Sequence, residues 1–96
     1  MQSTTTIRRR DRVAFRELAD GAGGVLLDLD TAAYFGVNEV GMAIWGILEI
    51  ERTLDQLMDQ LGQKLEDPPP SLRQDVEEFL TELSNRELVV LESTDR

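Results

Sequence analysis

The chain has no cysteine and no histidine. Without cysteine there is no disulfide, no thiolate nucleophile and no sulfur metal site. Without histidine the commonest general base and the usual catalytic triads are missing too. No apolar run approaches the roughly 18 residues a membrane helix requires. The opening Met1-Gln2-Ser3-Thr4-Thr5-Thr6 has no apolar core and so is not read as a secretory signal. These absences predict a cytoplasmic, non-enzymatic protein with no cofactor and no metal. At 96 residues the chain suits one domain with one modest core.

What is present is acidic, and unevenly so. Residues 1–16 carry five arginines against Asp11, a balance of +4; the remainder carries 5 basic and 18 acidic side chains, a balance of −13. A body of that sign repels phosphate backbones and makes nucleic acid a poor partner. The plainest role for the acids is a solvated surface. A sharper one is attraction of a basic peptide.

Residues 1–11 are polar and lack a hydrophobic period, which predicts a flexible basic arm. Val13 and Phe15 then alternate with Arg12, Ala14 and Arg16 as in a half-buried strand. The breaker cluster at 20–24 predicts a turn. Val25, Leu27 and Leu29 suggest a second strand, and Ala33 to Val37 a third, giving an antiparallel meander. Helices follow. Asn38 is placed as the N-cap of the first, with Val40, Ile44, Ile47 and Leu48 on one face. Thr53 and Gln56 make a capping box for the second, which ends before Pro68-Pro69-Pro70; Ser71 and Gln74 make another for the third. Leu88 to Leu91 suggest a closing strand, with 92–96 as a tail. The expected fold class is α+β, a three-stranded antiparallel sheet followed by three helices.

Two segments stand out as a binding surface. The third strand carries Tyr34, Phe35 and Gly36, and a sheet edge offers unpaired N–H and C=O groups for strand addition. Taken singly, Tyr34 and Phe35 fit ordinary core and cross-strand roles better than a binding role. On the third helix, Val76, Phe79 and Leu80 span enough of the surface to face both a core and a groove. Catalysis finds little support. Asp28 and Asp30 share one side of a strand, and Asp75, Glu78 and Glu82 share a helix flank, but neither set forms a calcium loop or lies beside a nucleophile.

Gly24-Val25-Leu26-Leu27-Asp28-Leu29, Tyr34-Phe35-Gly36-Val37-Asn38, Gly41, Ile44-Trp45 and Asp75-Val76-Glu77-Glu78-Phe79-Leu80 together resemble the PqqD-like family. Its members are recognition elements for ribosomally made, post-translationally modified peptides. The resemblance spans about residues 12–91 and looks most like the free-standing members of lasso-peptide pathways. It implies a winged helix-turn-helix-like fold in which a leader peptide pairs antiparallel with the third strand and lies against the third helix. Carried onto this chain, the strand wall is Ala33, Tyr34, Phe35, Gly36 and Val37. The helix wall is Asp75, Val76, Phe79, Leu80 and Leu83, with Glu78 and Glu82 on an acidic flank that favours a leader carrying Lys or Arg. Trp45 and Leu48 become supporting core. Two departures are Ala33, where many relatives have glycine, and the three prolines before the third helix. The implied partners are a precursor peptide, a leader peptidase and a cyclase. Three alternatives remain: a winged-helix nucleic-acid binder, disfavoured by charge; an adaptor for a folded partner; and a quinone-cofactor-type peptide chaperone.

Overall fold

A computed structural model of the chain describes residues 1–19 and 21–93. Its elements are β1 (Thr6–Arg9), β2 (Val13–Glu17), β3 (Gly23–Asp28), β4 (Tyr34–Asn38), α1 (Glu39–Ile47), β5 (Arg52–Thr53), α2 (Leu54–Lys64), α3 (Leu72–Asn85) and β6 (Val89–Glu92). The α+β class and the meander match expectation. Strands β2, β3 and β4 are consecutive and antiparallel, with Phe15, Leu26 and Phe35 in register across the sheet. Gly21, at φ 73°, supplies the left-handed backbone that the turn into β3 requires. Asp20 in that breaker cluster lies outside the described residues.

The N-terminal segment differs from expectation. Residues 6–9 are not an arm but the central strand of a second sheet, β5-β1-β6. Thr6 faces both Thr53 and Glu92, and Ile7 faces Arg52 and Leu91. Ile7 is fully buried and Thr5 nearly so. A single apolar residue between threonines and arginines leaves no visible period, and both strand partners lie far away in sequence. The same segment caps α2, since Leu54 and Asp55 donate their N–H groups to the carbonyls of Thr5 and Ser3. Arg9 is drawn inward as well. Its guanidinium lies 4.5 Å from the Trp45 ring centroid and donates from Nε and Nη2 to the Trp45 carbonyl. Desolvation lowers the Arg9 pKa, opposed by the Glu49 carboxylate. The expected closing strand forms, but it belongs to this second sheet. Of the tail placed at 92–96, Glu92 ends β6, and residues 94–96 lie outside the described residues.

The core lies between the helices and the inner faces of the two sheets. Leu26, Ile44, Leu48, Leu54, Leu57, Leu61, Leu80 and Leu83 have almost no exposed surface. Each such side chain contributes roughly 1.5–3 kcal/mol relative to exposure. Two expected caps form. The Asn38 side chain accepts from Gly41 N–H at 2.9 Å, and Thr53 and Gln56 make the reciprocal box. The Ser71–Gln74 box does not form. Ser71 has near-helical dihedrals (φ −86°, ψ 7°) rather than an extended N-cap geometry, and its hydroxyl instead donates to Asp75 Oδ2 at 3.1 Å. Among the described residues, no helix is long and apolar enough to cross a membrane.

Candidate peptide-binding groove

Strand β4 pairs with β3 on one side and, among the described residues, has no strand on the other. Its hairpin closes with Asp28 N–H donating to Ala33 C=O at 2.8 Å. Antiparallel pairs alternate, so Phe35 and Val37 turn their main-chain groups toward β3 while Tyr34 and Gly36 turn theirs toward the open edge. Side chains alternate between the faces in the same way. Phe35 and Val37 point inward, half-buried and buried, whereas Tyr34 lies on the outer face and is 75% exposed. A Cβ added at Gly36 would meet nothing within 4 Å, so the outer face of the sheet is open there as it is at Tyr34.

Helix α3 is the facing wall, and aromatic side chains bridge the gap. Phe35 and Phe79 have ring centroids 6.4 Å apart, tilted by 31°. On the other side, the Arg86 guanidinium sits 4.6 Å from the Phe35 centroid while its Nε donates to Glu82 Oε2 at 2.6 Å. This aromatic bridge lies between two concavities of about 260 Å³ each. One, at the Asn38 end, is lined by α1, by Leu65 and Pro69 of the α2–α3 connection, and by Asp75, Val76 and Phe79 of α3. The other, at the Ala33 end, is lined by Asp28, Thr31, Ala33, Tyr34, Phe35 and residues 85–88.

The strand residues singled out from the sequence, Ala33 to Val37, therefore stand together on one edge. The helix residues divide. Asp75 and Phe79 reach the groove, and Val76, almost fully buried, contributes only to its floor. Leu80 and Leu83 have no exposed surface and belong to the core beneath it, because α3 turns their face toward the core along with Leu72 and Val76. Glu78 and Glu82 lie instead on a shallow outer depression with Gln74, Glu77 and Thr81. Both are already engaged, Glu78 by Gln74 at 3.3 Å and Glu82 by Arg86. Trp45 and Leu48 are buried supporting core. Sequence reasoning missed Gly41, Leu65, Pro69 and Arg86 as groove residues. The unexplained glycine inside α1 and the prolines just before α3 were the available signals; Arg86 gave none.

The family model for coenzyme PQQ synthesis protein D (PqqD) matches residues 23–89, which include both walls of the groove. No curated protein matches the chain. Among solved structures, TbiB1 in complex with the TbiA(beta) leader peptide is similar, with a TM-score of 0.70 and 30% identity over 93% of this chain and 99% of that one. The family match covers well over half the chain, and the structural likeness covers more of it still. The chain belongs to the PqqD family.

Proposed function

We propose that this protein binds the leader segment of a ribosomally made precursor peptide by adding it as a strand to β4. The observation that carries the proposal is the open β4 edge, where outward main-chain groups of Tyr34 and Gly36 face α3 across an aromatic-floored groove. Main-chain bonds to such an edge supply affinity for any extended peptide, and the concavities at its two ends supply side-chain selection. That TbiB1, a structure of similar fold, was solved with a leader peptide supports the reading.

The domain acts without catalysis in the cytoplasm. It raises the local concentration of the precursor beside a leader peptidase and a ring-closing enzyme of the lasso-peptide type. We read its architecture as a winged helix-turn-helix variant. In this view, helices α1 to α3 with β5 and β6 form the usual core, and β1 fills the central strand position of the small sheet. A second reading, a chaperone for the precursor of a quinone cofactor, is favoured by the description of the matching family.

A titration of labelled leader peptide, taken from the precursor encoded beside this protein and followed by anisotropy, tests the proposal. Saturable binding at micromolar or better, about −8 kcal/mol, is expected. A folded protein that binds no leader contradicts it. Preference for a quinone-precursor peptide over a lasso-type leader would select the second reading.

A further inference from the structure

Gly41 sits in the first turn of α1, where that helix meets both walls of the groove. A methyl group built on Gly41 would lie 2.9 Å from Val37 Cβ, and 3.1 and 3.4 Å from Cζ and Cε1 of Phe79. The first distance is shorter than side chains tolerate, and the second forces the ring to give way. Gly41 does not have the positive φ that would itself call for glycine. Glycine also disfavours a helix interior, so propensity does not explain it. The other helical glycines, Gly46 and Gly62, have open space at the same position. What Gly41 supplies is room.

We infer that Gly41 is a positioning residue for leader binding: it lets the Phe79 ring lie against α1 and so keeps the ring out of the channel between β4 and α3. The inference rests on the leader-binding reading above. Phe79 also lines the concavity at the Asn38 end and stands beside Phe35. A side chain at position 41 therefore pushes the ring toward Phe35, narrowing the middle of the groove; a shift of Val37 and the β4 edge relative to α3 is the competing response, one that removing the ring would not relieve. Either shift changes the width that an added strand meets. Alanine is the better helix former, so folding and binding respond differently to this substitution.

The test uses Gly41→Ala, Phe79→Leu and the double variant in the full chain, each titrated with the fluorescein-labelled leader of the neighbouring precursor and melted by circular dichroism. Gly41→Ala should weaken binding about tenfold or more while keeping a cooperative melt, and the double variant should bind within about threefold of Phe79→Leu alone, because no ring remains to be displaced. If Gly41→Ala does not fold, the comparison of the double variant with Phe79→Leu decides. Binding by Gly41→Ala within about twofold of wild type, or a double variant as weak as the two single losses multiplied, overturns the inference. So does a double variant that fails to fold, since the glycine then serves Val37 and the backbone rather than the ring. A wild-type chain that binds no leader removes the functional reading and this inference together.

Discussion

Among the described residues the sheet β2-β3-β4 has two open edges, and they are built differently. The β2 edge carries Arg12, Arg16 and Glu17 and is exposed along nearly its whole length. Charged side chains of this kind are a common way to blunt an edge against unwanted pairing. From Tyr34 to Val37 the β4 edge has no charge at all, and α3 stands over it with Phe79 and Arg86. Two edges of one small sheet thus have opposite designs, one lined with charge and one uncharged but walled. If a partner adds at β4 as proposed, the wall admits a single extended strand.

The largest expected effect separates the wall from the core beneath it. Leu80→Ala should destabilise the fold by about 2–5 kcal/mol, because the side chain is fully buried. Its neighbour Phe79→Ala should leave a cooperative melt and weaken leader binding by about 1–3 kcal/mol. Thermal melts beside anisotropy titrations read both; a Phe79 variant that unfolds makes the residue simple core. Next comes the edge itself. Gly36→Pro removes an outward N–H and should cost leader binding about 1–2 kcal/mol, whereas Glu17→Pro on the β2 edge should leave affinity unchanged. Equal losses at the two edges would erase the distinction between them. A smaller effect is expected at the junction of β4 and α1. Asn38→Ala removes the N-cap bond to Gly41 and should lower stability by about 1 kcal/mol in chemical denaturation. The smallest concerns charge. Glu78 is exposed, lines neither groove concavity and already accepts from Gln74, so Glu78→Gln should change leader affinity by no more than about 0.5 kcal/mol. A loss of tenfold at low salt would restore the idea that the acidic flank selects a basic leader.

Much of this architecture was legible in the sequence wherever the signal was local. Local pattern revealed β2 to β4 as strands, although β3 buries Leu26 and leaves Val25, Leu27 and Leu29 more exposed, the reverse of the expected stripe. The Asn38 cap and the Thr53–Gln56 box marked two helix starts to the residue. The β1 strand was not legible, because Ile7 is its only apolar residue and its partners, β5 and β6, are distant in sequence. The same applies to β5, whose two residues carry no period. At the groove, the strand wall could be read because β4 is the last strand of the meander, leads directly into α1 and carries the Tyr34-Phe35-Gly36 run that the family resemblance rests on. The helix wall was only half readable. A stripe that includes Val76, Phe79, Leu80 and Leu83 does not say which member turns from core to groove, and only the packing of α3 leaves Phe79 partly exposed while burying its neighbours.

Residue-resolved amide hydrogen exchange on the free and leader-saturated protein tests the central claim most directly. Strand addition at β4 predicts that the Tyr34 and Gly36 amides, open in the free protein, become protected when the leader binds, while the outward amides of Val13 and Phe15 on β2 do not change. Saturable binding without protection at Tyr34 and Gly36, or with protection on β2 instead, would contradict the account.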